Sequence, residues 1–125
     1  MSQDIVADVM NQIVNAKKAR KKSVNVKRHS KFLLTILAIG KLKGYVKDFQ
    51  VKGNDLEIEF GDKLNMCKAV KPRYVVKNRD LEKYVKRYLP ARDMGILIIS
   101  TNNGLVTHQT AIDQNLGGSV VAYFY

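Results

Sequence analysis

Apolar residues at Ile5, Val6, Val9, Met10, Ile13 and Val14 recur at helical spacing and predict a helix from Ile5 to Lys17, with Asp4 placed to cap its start. Ser23-Val24-Asn25-Val26 alternates polar and apolar, which predicts a short strand. Phe32, Leu33, Ile36, Leu37 and Ile39 return to helical spacing, with Ser30 as N-cap and Gly44 as a left-handed stop. The segments from Tyr45 to Val51 and from Leu56 to Phe60 read as strands joined through a tight turn at Gly53-Asn54, so one sheet with two helices on one face would bury both apolar stripes.

Gly61 and Asp62 open a polar break, taken as a boundary. Beyond it, Met66 to Val70 and Tyr74 to Val76 predict two strands around a turn at Lys71-Pro72-Arg73. Asn78 is placed to cap a short helix carrying Leu81, Tyr84, Val85, Tyr88 and Leu89, which Pro90 stops. Met94 to Ile99 is a nearly continuous apolar run and predicts a buried strand. A turn at Asn102-Asn103-Gly104 leads to Thr107, the expected cap of a final short helix ended by Gly117-Gly118, and Val120 to Tyr125 predicts a last strand. The expected class is α+β: two small α/β modules packed together, residues 1–62 as helix, strand, helix and hairpin, and residues 63–125 mostly β with short helices.

Charge changes the picture. The chain has 125 residues, 46% of them hydrophobic, enough for a real core, yet it carries 22 Lys and Arg against 11 Asp and Glu, a formal charge of +11. Such an excess repels itself and implies a polyanionic partner. Every Lys and Arg lies between Lys17 and Arg92, so the positive surface and the last third of the chain do different jobs. Lys17, Lys18, Arg20, Lys21, Lys22, Lys27, Arg28 and Lys31 follow one another with no acid among them, more than solubility needs, and are read as phosphate contacts. Arg73, Lys77, Arg79, Lys83, Lys86, Arg87 and Arg92 form a second basic set, part of it facing solvent or other proteins. No apolar run reaches transmembrane length, the N-terminus has no signal pattern, and the lone Cys67 fits a small buried hydrophobe, so a cytosolic protein with no membrane partner is expected.

Candidate chemistry concentrates in Ser100-Thr101-Asn102-Asn103-Gly104-Leu105-Val106-Thr107, small hydrogen-bonding side chains between a predicted buried strand and a helix start. Such groups reach base edges and ribose hydroxyls without adding charge, while Lys and Arg elsewhere supply phosphate attraction. Ser100, His108 and Asp113 are the residue types of a nucleophilic triad, but no Gly-x-Ser-x-Gly elbow surrounds Ser100, and an enzyme is not expected. His29, Cys67 and His108 are isolated, and no phosphate-cradling loop occurs, so neither metal nor cofactor is expected.

The same segment, followed by Ala111 and by Gly117-Gly118-Ser119-Val120-Val121-Ala122-Tyr123, resembles the C-terminal signature of the S-eight family of small-subunit ribosomal proteins. Asp4-Ile5-Val6-Ala7-Asp8 with Ile13-Val14-Asn15-Ala16, and Ser30-Lys31 with Gly44-Tyr45-Val46-Lys47-Asp48-Phe49, are similar to the family's N-terminal motifs in the right order. Lys71-Pro72-Arg73-Tyr74, Asp80 to Tyr84 and Leu89 to Arg92 resemble its archaeal and eukaryotic branch. The resemblance implies a structural component of the small ribosomal subunit that binds the central domain of small-subunit ribosomal RNA, beside neighbouring ribosomal proteins. Carried over residue by residue, it points to Ser100, Thr101, Asn102, Asn103, Gly104 and Thr107, with Lys31 as an N-terminal contact. Gly118, Ser119, Arg28, Lys21, Lys22, Lys71 and Arg73 complete the expected RNA-binding set. Asn102 stands where many relatives have a hydroxyl residue and keeps donor and acceptor capacity; Ser119 stands where bacterial members usually have Glu. The alternative function is a free RNA-binding regulator of the protein's own mRNA.

Overall fold

The computed structural model describes residues 5–27, 29–90 and 94–125, apart from the side chains of residues 71–74. The expected Asp4 cap, Arg28 and the side chains of Lys71 and Arg73 lie outside the described residues. The elements run α1 (Ile5–Lys18), β1 (Ser23–Val26), α2 (Lys31–Leu42), β2 (Val46–Lys52), β3 (Asp55–Phe60), β4 (Cys67–Val76), a single 3₁₀ turn (Asn78–Asp80), α3 (Leu81–Tyr88), β5 (Ile96–Thr101), β6 (Gly104–Thr107), α4 (His108–Asp113) and β7 (Gly118–Phe124). This is an α+β fold. It divides into two compact units, Met1–Lys68 and Ala69–Tyr125.

In the first unit β1, β3 and β2 form an antiparallel sheet with β3 in the centre. Leu56, Ile58 and Phe60 alternate with Asp55, Glu57 and Glu59, and the register sets Val24 beside Ile58 and Val26 beside Leu56 on the same face. A period of two allows the sheet one apolar face only, and the helices bury their stripes against it: Val6, Val9, Met10, Ile13 and Ala16 of α1, and Leu33, Ile36, Leu37 and Gly40 of α2. Each fully buried Leu or Ile contributes roughly 1.5–3 kcal/mol relative to exposure. The Ser30 side chain accepts from the Leu33 N–H at 3.2 Å, which starts α2. Gly44, at φ +88, lets the chain turn from α2 into β2.

The second unit is a sheet in the order β4-β7-β5-β6. Leu97, Ile99 and Val120 of the sheet form its core with Val70, Val76, Leu81, Val85, Leu89 and Ala111. Five expectations change here. The two strands expected around Lys71-Pro72-Arg73 are one strand, β4; it lies at the sheet edge, where a residue without an N–H breaks no ladder. Asn78 does not cap α3, whose N-cap Asp80 makes no side-chain cap bond; the Asn78 amide instead donates to Ala111 O and Leu116 O, both at 2.9 Å. Those carbonyls belong to the end of α4 and its exit, so Asn78 ties two parts of the unit together.

The strand expected from Met94 begins at Ile96, because Gly95 at φ +103 makes the approach and Met94 is 52% exposed. Gly104 to Thr107 is not an open loop but the strand β6, paired with β5. Finally, α4 ends before Gly117: Asn115 takes the left-handed conformation at φ 56, and the Leu116 N–H returns to Ala111 O at 2.8 Å.

Candidate nucleic-acid interface

The polar segment at residues 100–104 is a two-residue hairpin between β5 and β6. Thr101 pairs with Gly104, leaving Asn102 and Asn103 at the tip. The Thr101 hydroxyl donates to Gly104 O at 2.8 Å and accepts from the Asn103 N–H at 3.1 Å, so the side chain is spent on shaping the turn. Gly104 sits at φ +104 with open space around the position of a Cβ; its backbone angle, not crowding, requires glycine. Asn102, Asn103 and Gly104 are exposed. The tip therefore offers two neutral carboxamides on a base stiffened by Thr101.

Behind the tip, the ladders place Leu105 and Ser119 on either side of Ser100. Directly opposed residues share a face, so the hydroxyls of Ser100 and Ser119 lie side by side, both part-exposed. Gly118 serves this approach, and Gly117 a separate one to the end of β4. A Cβ on Gly118 would collide with Ser100 O, and one on Gly117 would come within 2.8 Å of Val76 O. Local sequence suggests only a helix stop at these glycines; the contact requiring them comes from residues far away in the chain.

Thr107, expected as a contact, is 4% exposed. Its hydroxyl accepts from the Thr110 N–H and donates to the Thr110 Oγ1, both at 3.3 Å, capping α4. His108 is also buried, and its Nδ1 accepts the Leu97 N–H at 3.1 Å. That bond continues the β5 ladder one step past the last β6 pair, Ile98 with Thr107, where the chain has turned into α4. An imidazole so engaged is a structural acceptor, which removes the base from the Ser100, His108, Asp113 reading.

The remaining candidates lie in the first unit. Lys21 and Lys22 are exposed between α1 and β1, where Arg20 turns the chain at φ 61 and the Lys21 N–H returns to Ala16 O. Lys22 O accepts the Phe60 N–H at 3.0 Å, anchoring the backbone while the side chains stay in solvent. Lys31 is the exposed first residue of α2. Three acids of this unit serve other lysines: Lys27 pairs with Asp55 at 3.3 Å, Lys41 with Asp48 at 3.0 Å and Lys52 with Glu57 at 3.3 Å. Among the described residues, Lys17, Lys18, Arg20, Lys21, Lys22 and Lys31 have no ion-pair partner. The hydrogen bond from Lys41, then that from the Phe49 N–H, holds the Asp48 carboxyl below its ordinary 3.8. No helix of the described residues is long and apolar enough to cross a membrane.

Thus one unit carries uncompensated cations at a helix exit, and the other a neutral, conformationally locked hairpin. The chain is 37% identical, over 129 aligned residues and the whole of both chains, to the small ribosomal subunit protein uS8 of Nanoarchaeum equitans. It is equally similar, again at 37% over 129 aligned residues and the full length of both, to the uS8 protein of Picrophilus torridus. The family model described as ribosomal protein S8 matches residues 4–125, which takes in the α1 exit, the hairpin and the paired glycines alike. The chain belongs to the ribosomal protein S8 family.

Proposed function

We propose that the protein is a structural component of the small ribosomal subunit, not an enzyme, and that it binds the central domain of small-subunit ribosomal RNA. Its hairpin from Ser100 to Gly104 reads the folded RNA, with Ser119 alongside. Lys21, Lys22 and Lys31 supply phosphate attraction, and Arg28, Lys71 and Arg73 are proposed to join them. Neighbouring subunit proteins are its other partners, and the ribosome in the cytoplasm is its place of work.

The observation that carries this reading is the locked hairpin in the stretch from Asp93 to Tyr125, which has no Lys or Arg, of a chain of formal charge +11. Phosphate contacts give affinity without sequence information, whereas neutral donors and acceptors on a rigid turn discriminate shape and base edges. Asn102 and Asn103 present their amides directly, and Ser100 and Ser119 offer a paired hydroxyl row for ribose or phosphate oxygens. Thr101, Gly104 and Gly118 act by holding that geometry, and Thr107 acts by fixing the start of α4.

The test is a titration of the protein against a central-domain RNA fragment and a scrambled hairpin of equal length, across salt. Tight binding that survives moderate salt only on the fragment is expected. Equal, salt-sensitive binding to both would reject specific recognition and leave charge alone at work.

A further inference from the structure

A concave surface lies in the first unit along α1. Asn11, Val14, Asn15 and Lys18 fall on one face of α1 at helical spacing, and Met66, just before β4, and Lys68, in its first residues, form the opposite wall. The Cys67 Sγ lies 3.7 Å from Met10 O, which fixes the chain entering β4 against α1. Between them is a cleft of about 300 Å³. That is the small end of the ~300–1,000 Å³ range of clefts that bind small ligands.

We propose that this cleft receives the base of one unpaired nucleotide of the bound RNA, with its phosphates held by Lys18 and Lys68. The proposal rests on the RNA-binding function above and assigns it an additional contact. The lining fits that occupant part by part. Asn11 and Asn15 are exposed and one helical turn apart, and each carboxamide offers a donor and an acceptor to a base edge. Val14 and Met66, both half-buried, supply an apolar wall for the base face, the thioether being polarisable. Lys18 and Lys68 are exposed, and among the described residues no carboxylate lines the cleft. By contrast, the 460 Å³ cleft between α3 and α4 is lined by two carboxylates, Glu82 and Asp113, against the single cation Lys86, a balance that disfavours phosphate. Unpaired bases splayed from loops and bulges are what proteins most often read in RNA.

The experiment compares the full-length protein with the variant Asn11→Ala/Asn15→Ala on the central-domain fragment and on copies carrying one abasic site at each unpaired nucleotide in turn. Alanine is the better helix former at both exposed positions, so α1 is not weakened, and an unchanged thermal midpoint verifies this. Binding should fall about tenfold or more, with one abasic site causing the same loss and no further loss when the two are combined. The salt slope of this variant should match the parent, whereas Lys18→Gln/Lys68→Gln should flatten it by about 2. Binding of the asparagine variant within about twofold of the parent, or losses that add at every abasic position, would overturn the proposal. Failure of the broader function appears separately, as a parent protein that does not prefer the fragment to the scrambled hairpin.

Discussion

At the scale of single residues, the hairpin separates exposed amides from groups that shape the turn. Asn102→Ala/Asn103→Ala removes the exposed amides while leaving the Thr101 bonds, so binding to the central-domain fragment should weaken with the melting temperature unchanged; an equal loss on a scrambled hairpin would show that the tip is not selective. Gly118→Ala acts differently. The added methyl meets the backbone oxygen of Ser100, which no rotamer change relieves, and the strand must move. Urea unfolding should show a loss of at least about 1–3 kcal/mol, together with weaker RNA binding, because Ser100 and Ser119 separate. Cys67 gives a prediction in pH. Burial pushes its thiol up to about 12, from 9.0. A raised folded value means the protonated form is favoured in the folded state, so this contribution is fully present below about pH 9 and is lost as the pH rises toward 12. Alkylation at pH 8 should therefore be slow in the native protein and fast in denaturant.

At the scale of elements, capping distinguishes helices that look alike in sequence. Ser30 bonds the Leu33 N–H, and Ser30→Ala should cost about 1 kcal/mol in urea unfolding. Asp80 makes no cap bond, and Asp80→Ala should change stability by no more than about 0.5 kcal/mol. Asn78→Ala should cost more than either, about 1–3 kcal/mol, because it leaves Ala111 O and Leu116 O without their donor. The sequence shows polar residues at the start of each helix but not which neighbour each one meets. Periodicity, in contrast, identifies α1, β1, α2 and the β2–β3 hairpin within a residue or two, since their patterns report a face buried within a short stretch of chain. It fails at β6, whose short Gly-Leu-Val-Thr run follows a turn signal and gains strand character only from pairing with β5.

At the scale of the molecule, the unpaired cations of the α1 exit and the neutral hairpin lie in different parts of the chain. Three acids of the first unit, Asp55, Asp48 and Glu57, are paired with Lys27, Lys41 and Lys52, and among the described residues none pairs with a cation of the α1 exit. Lys21→Gln/Lys22→Gln should weaken binding to every RNA and flatten the salt slope by about 2, while the asparagine variant of the hairpin leaves the slope alone. An unchanged slope in the lysine variant would place that turn off the RNA.

The order of helices and strands in the first unit, the uneven charge and the polar run from Ser100 to Thr107 are all local properties, and the linear sequence determines them by itself. The division of labour within that run depends on the tertiary structure. Thr101 folds back on its own turn, Thr107 goes inside to cap α4, His108 completes a ladder, and Ser119 comes beside Ser100 because β7 pairs with β5. The last three of these outcomes are set by a partner distant in sequence or by burial. Hydrogen-bonding side chains look equivalent in a sequence until the fold settles which donors and acceptors are already used.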